Sequence, residues 1–228
     1  MRKFRSPLIL LFVIIVLVQL YSAWVGNLSL EYIAKPLIMI GITIYYLLYR
    51  AHSKVNVSIL LAFFFCWIGD VLLMLARTYE ILFYAGVGAF LIGHLFYISI
   101  FLRSSDKRGR SFLSKKPAAV VPYMLYLMGI LIVLFPVLEG VMKPIIAVYG
   151  GVLIIMALAA VNCKGMVPKV VFNRFFWGSL FFVASDTMIA FDKFHTELEK
   201  SGFLIMSTYI IAQVLLMSGL VLQKDKVY

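Results

Sequence analysis

The chain has 228 residues, 64% of them hydrophobic and only 14% charged, with a mean hydropathy of +1.02. A soluble domain is closer to half apolar and a quarter charged, so a water-facing fold of this size could not hide that much apolar surface. Composition therefore argues against a soluble domain, and the net charge of +11 reads as basic loops held against anionic headgroups rather than as a nucleic-acid surface.

In chain order the apolar runs cover residues 7–24, 36–49, 57–76, 81–102, 117–138, 144–161, 175–191 and 203–222. At about 25–28 residues per span plus connection, this predicts an all-α, polytopic bundle of about eight transmembrane helices, a single domain over 1–228. The first run follows a basic start, Met1-Arg2-Lys3-Phe4-Arg5, as a secretory signal peptide would. No A-x-A cleavage site follows, and Tyr21 with Trp24 resembles an interfacial anchor, so the segment is expected to stay as a span. The second run is short for a span, and reaching back through Tyr32 and Lys35 brings it closer to bilayer length.

Alternate connections differ sharply in charge. One side carries Arg2, Lys3, Arg5, Arg50, Lys54, Arg103, Lys107, Arg108, Arg110, Lys115, Lys116, Lys164, Lys169, Arg174, Lys224 and Lys226. The other carries Lys35, Arg77, Lys143, Lys193 and Lys200. Cytoplasmic loops are enriched in Lys and Arg, so both termini are expected to be cytoplasmic. The alternation itself supports an even number of spans.

The two halves also show a weak likeness. Lys35-Pro36-Leu37-Ile38 opens the second run and Lys143-Pro144-Ile145-Ile146 the sixth. The third run holds Phe63-Phe64-Phe65-Cys66-Trp67-Ile68-Gly69-Asp70, and the seventh Leu180-Phe181-Phe182-Val183-Ala184-Ser185-Asp186. Both pairs are four helices apart, as in a parallel 4+4 repeat.

Asp70, His94 and Asp186 are the ionisable residues that interrupt these runs. An acid near the bilayer centre costs several kcal/mol unless protonated or paired, so it usually turns inward and serves a function. Counted from the helix midpoints, all three fall within roughly 5 Å of the midplane, compatible with one site. The plainer alternative makes each a buried hydrogen-bonding group. Tyr97, Tyr149, Tyr209 and Gln213 are candidates to line the same cavity or to bond between helices. Lys35, by position alone, reads as an interfacial cation whose stem snorkels. Cys66 and Cys163 lie in or beside apolar runs without a C-x-x-C and read as small apolar fillers.

No G-x-S-x-G, H-E-x-x-H, Walker or G-x-G-x-x-G motif occurs. His52, His94 and His195 fall in different elements, so no metal site is expected. Two carboxyls remain, and a pair of carboxyls suits acid–base chemistry or proton coupling.

At these residues the chain resembles the YhhN-like family of membrane proteins, which includes the lysoplasmalogenases. The similar features are Lys35-Pro36-Leu37, Gly69-Asp70, Gly86-x-x-x-Phe90-x-x-x-His94-x-x-Tyr97, Gly178-Ser179 with Ser185-Asp186, and Tyr209 with Ala212-Gln213. Their order and spacing cover runs two to eight. One departure is Ala190-Phe191-Asp192-Lys193, where the family pattern is more apolar and which leaves the outer mouth of the site undefined. The resemblance implies an eight-helix, cofactor-free enzyme that hydrolyses the vinyl-ether bond of lysoplasmalogen to a fatty aldehyde and a glycerophospho-base. It implies Asp70 and Asp186 as the catalytic carboxyls, with Lys35, His94, Tyr97, Tyr149, Ser185, Tyr209 and Gln213 around the lipid.

Vinyl-ether hydrolysis runs through protonation at carbon and an oxocarbenium ion. One carboxylic acid can give the proton while a second carboxylate stabilises the cation, the division of labour used by glycosidases. Two other functions fit the same residues. A proton-coupled transporter or flippase would use the acids to carry protons. A lipid sensor would use the cavity alone. Release of aldehyde by the purified protein separates the enzyme from both.

Overall fold

The structure is a computed structural model that describes residues 2–50, 55–105 and 111–223, with side chains from residue 7 onward. Lys54, Lys107, Arg108, Arg110, Lys224, Lys226 and His52 lie outside the described residues, as do the side chains of Arg2, Lys3 and Arg5. In hydrocarbon each backbone amide and carbonyl must be paired within its own segment. Among the described residues eight long helices meet that demand: α1 (Arg2–Val25), α2 (Leu28–Tyr49), α3 (Val57–Leu75), α4 (Ile81–Ser105), α6 (Val121–Leu134), α7 (Met142–Asn162), α8 (Lys169–Phe194) and α9 (Ser201–Leu222). A short helix α5 (Phe112–Lys115) and a 3-10 turn (Pro117–Val120) join α4 to α6. No strand occurs among the described residues.

Seven of the long helices are long and apolar enough to cross a membrane, α6 together with the 3-10 turn before it. The exception is α8, which is 26 residues long. Its Asn173, Arg174, Asp186, Asp192 and Lys193 lower its mean hydropathy, and it lies sheltered between α7 and α9. The bundle is thus a multi-pass membrane protein, as its composition required.

The second run is where the sequence reading falls short of the helix. Asn27 caps α2 by accepting a hydrogen bond from the Leu30 amide at 3.2 Å, so the helix starts at Leu28 and Pro36 lies inside it. Lys35 is therefore two turns into a span and half-buried, not at its outer end.

Two helix pairs are packed most closely, α3 with α4 and α8 with α9. Glycine makes both approaches possible. A Cβ on Gly69 would sit 2.5 Å from the Phe90 ring, and one on Gly178 would sit 2.8 Å from Leu216 Cδ2. Across the halves, α4 packs on α7 and α9 packs on α2. These two contacts exchange when α2–α4 are superposed in order on α7–α9, the period suggested by the sequence likeness. The main core lies between these pairs, around Phe63, Tyr97, Phe101, Phe175 and Phe182. By contrast α6 buries only Leu134 and sits at the edge of the bundle.

Candidate active site between two buried carboxyls

The close α3–α4 and α8–α9 pairs bring polar groups from five helices into the core. Along α3, Cys66 and Asp70 are one turn apart and face the same way. Phe182 and Asp186 repeat that spacing on α8, and Tyr209 and Gln213 repeat it on α9. From α4 come Phe90, His94 and Tyr97, and from α7 comes Tyr149. Asp70 is 3% exposed, Asp186 6% and His94 0%.

A chain of hydrogen bonds crosses the site. Tyr97 Oη donates to Gln213 Oε1 at 2.7 Å, Gln213 Nε2 donates to Tyr209 Oη at 3.3 Å, and Tyr209 Oη donates to Asp70 Oδ2 at 2.7 Å. On the other side, Tyr149 Oη donates to Asp186 Oδ2 at 2.5 Å. His94 Nε2 is 3.7 Å from that same oxygen, and neither ring nitrogen of His94 has a hydrogen-bond partner among the described residues. Each carboxyl is thus held by one tyrosine through one oxygen. Asp70 and Asp186 also lie within electrostatic reach of one another, and Lys35 is the cation whose charge acts on Asp70.

Aromatic rings wall the space between them. Phe182 stands edge-on to His94 at 4.6 Å between ring centroids and to Tyr209 at 5.5 Å, and Phe90 stands 6.0 Å from Tyr209. A small apolar pocket of about 40 Å³ lies between α6, α7 and α8. Leu127, Ile130 and Leu153 line it together with Tyr149, Asp186 and Thr187. Two further lining groups, Tyr126 Oη and Thr187 Oγ1, share a hydrogen bond of 2.9 Å.

Of the residues singled out from sequence, Asp70, His94, Tyr97, Tyr149, Asp186, Tyr209 and Gln213 therefore meet around one centre, with Lys35 at its edge. Ser185 faces elsewhere: its Oγ donates to the Ile205 carbonyl at 3.2 Å and ties α8 to α9. The Ala190–Lys193 departure is accounted for by the turn after α8. Asp192 Oδ1 accepts from the Leu198 amide at 2.9 Å, and Lys193 lies 3.7 Å from Glu80.

Two features escape the sequence reading. The first is the surroundings of Cys66, which is fully buried, as a filler would be, but in the same core as Phe90, Phe182 and Tyr209. The signal was its place one turn before Asp70. The second is an ion pair in which Arg77 forks onto Glu31 with bonds of 2.8 and 3.3 Å. Among the described residues no three His, Cys, Asp or Glu side chains gather as a metal-ligating group.

The YhhN family profile matches residues 30–220, from the first turn of α2 to the last turn of α9. The chain belongs to the YhhN family. No curated protein and no solved structure matches it. The YhhN match takes in every residue of the site and leaves α1 wholly outside.

Proposed function

We propose that this YhhN protein is a lysoplasmalogenase, hydrolysing the vinyl-ether bond of a lysophospholipid to a fatty aldehyde and glycerophosphocholine or glycerophosphoethanolamine. The observation that carries the reading is the pair itself: two buried carboxyls, each held by one tyrosine, with the rings of Phe90, His94 and Phe182 packed among those tyrosines. An oxocarbenium route needs one acid to give a proton and one carboxylate to stabilise charge and take a proton from water. An apolar pocket with Asp186 in its lining suits a substrate that carries a hydrocarbon chain.

The reaction balances on these two groups alone. The carboxyl in its acid form protonates the alkenyl carbon remote from oxygen, and the π pair leaves an oxocarbenium ion. Water adds its oxygen to the cationic carbon and loses a proton to the carboxylate. The hemiacetal then collapses: the carbon–oxygen bond to glycerol breaks, the second carboxyl returns its proton to the departing oxygen, and the first takes the hydroxyl proton. Aldehyde leaves and both groups regain their starting forms. Tyr149 and Tyr209 each engage one carboxyl oxygen, which leaves the other for the alkenyl carbon or for water. Aromatic faces such as Phe182 and Phe90 add electrostatic stabilisation to a cation nearby.

The charge asymmetry of the connections supports cytoplasmic termini, with both carboxyls in the outer half of the span. The deciding test is incubation of the purified, detergent-solubilised protein with 1-alkenyl lysophospholipid. Stoichiometric fatty aldehyde and glycerophospho-base are expected. Proton-linked lipid or solute movement in proteoliposomes without any aldehyde would overturn the reading and favour a transporter.

A further inference from the structure

On the same end of the bundle as the Arg77–Glu31 pair lies a cavity of about 330 Å³ that the chemistry above does not use. Trp24, Glu31, Arg77, Lys200, Ser201 and Gly202 line it. Glu31 is the buried partner of the pair, its side chain 6% exposed against 46% for Arg77. The two bonds to Glu31 leave further guanidinium N–H donors on Arg77. Lys200 stands over the Trp24 ring at 5.0 Å from its centroid, with Nζ donating to the Trp24 carbonyl at 3.2 Å. Two cations face one acid, so the cavity holds one uncompensated positive charge.

Helix register aligns this cavity with the carboxyl site. Glu31 is one turn before Lys35 on α2, Gly202 is seven residues before Tyr209 on α9, and Arg77 lies in the turn just past the end of α3, the helix that carries Asp70. Spacings of four and seven residues share a helix face. Two helices, α2 and α9, therefore each carry one cavity residue and one residue of the carboxyl site, roughly 6–10 Å apart along the helix, and the turn after α3 brings Arg77 to the same end. We infer that this cavity receives the phosphodiester of a single-chain phospholipid whose linkage lies between Asp70 and Asp186. The inference rests on the lipid-hydrolase reading of that site. The chemistry matches in charge and in reach. A phosphodiester carries one negative charge, Arg and Lys are its usual protein partners, and six covalent bonds separate phosphorus from the vinyl carbon.

The test uses the full-length protein in non-ionic detergent and three probes. These are a saturated 1-alkyl glycerophosphocholine, which cannot be hydrolysed, the corresponding 1-alkylglycerol, and free glycerophosphocholine. Wild type is expected to bind the alkyl phospholipid more tightly than either fragment. Lys200→Asn removes a cation at an exposed position whose left-handed backbone (φ 56°) asparagine tolerates. It is expected to weaken the phospholipid about tenfold and leave 1-alkylglycerol unchanged, the loss of one charge-assisted contact. Glu31→Gln frees the Arg77 fork and is expected to keep or tighten phospholipid binding. Equal effects of Lys200→Asn on both tailed probes, or none, overturn the inference. So does selective weakening by Glu31→Gln, which would make the pair only a helix tie. Glycerophosphocholine binding as tightly as the tailed phospholipid would instead make this a soluble-anion site and overturn it. Selective phospholipid binding by a protein that releases no aldehyde keeps the cavity assignment and removes the hydrolase reading; aldehyde release without that selectivity does the reverse.

Discussion

Replacing Gly69 by alanine tests the helix spacing on which the site depends. The added Cβ would lie 2.5 Å from Phe90 Cδ2 and 2.6 Å from Cε2. Carbon atoms in contact prefer about 3.5–4.0 Å, so the ring has to retreat by roughly 1 Å. Phe90 is 3% exposed, with Phe182 at 6.3 Å and Tyr209 at 6.0 Å between ring centroids, so the retreat disturbs further buried rings. Overpacking of this kind costs about 1–3 kcal/mol. For a chain of this length that corresponds to a fall in Tm of roughly 2–12 °C. Tyr209, the donor to Asp70, is one of the rings displaced, so kcat for aldehyde release is expected to fall by about tenfold, in line with a lost hydrogen bond to a charged group. The assay pairs thermal unfolding in detergent with aldehyde release, and Phe90→Leu in the same chain is expected to restore most of the lost stability. If Gly69→Ala leaves Tm and kcat unchanged, α3 and α4 are not packed as described.

Lys35→Ala is expected to raise KM more than it lowers kcat, because the lysine binds the lipid equally in ground and transition states; unchanged kinetics would return it to a snorkelling cation. Tyr149→Phe and Tyr209→Phe each remove the one donor to a carboxyl and are each expected to lower kcat by about tenfold with little change in KM. Cysteines introduced at Lys116 and Glu197 are expected to label from opposite faces of the membrane, since Cys66 and Cys163 are buried and silent. Labelling from the same face would contradict this topology and its helix count.

The parts of this molecule legible in its sequence are those where one strong physical term dominates. Insertion in lipid makes apolar runs unmistakable, and the cost of an acid in hydrocarbon makes Asp70 and Asp186 conspicuous against them. Helix ends were less legible because polar capping residues extend a helix past its apolar run, as Asn27 does for α2. The same extension carries Lys35 from the end of its apolar run to two turns inside the helix. The long polar-bearing α8 shows the converse: a span sheltered by its neighbours can afford residues that hydropathy penalises. Cys66, Phe182 and the Glu31–Arg77 pair were hidden because an apolar or interfacial residue gains meaning only from what faces it. The cross-helix hydrogen bonds joining Tyr97, Gln213, Tyr209 and Asp70 depend on rotation about each helix axis, which run lengths do not specify.

The most direct test of the account is aldehyde release by Asp70→Asn, Asp186→Asn and the double variant, each checked for folding by gel filtration and Tm. Asparagine keeps the shape of the side chain but removes the titrating proton or the charge. General acid–base groups contribute typically 10²–10⁴-fold, so each single variant is expected to lose at least ~100-fold in kcat. Because the two carboxyls act as one unit, the double variant is expected to be scarcely slower than either single one. A folded single variant with near-normal turnover would make that aspartate structural, and multiplying losses in the double variant would show two carboxyls working independently; either result contradicts the shared mechanism.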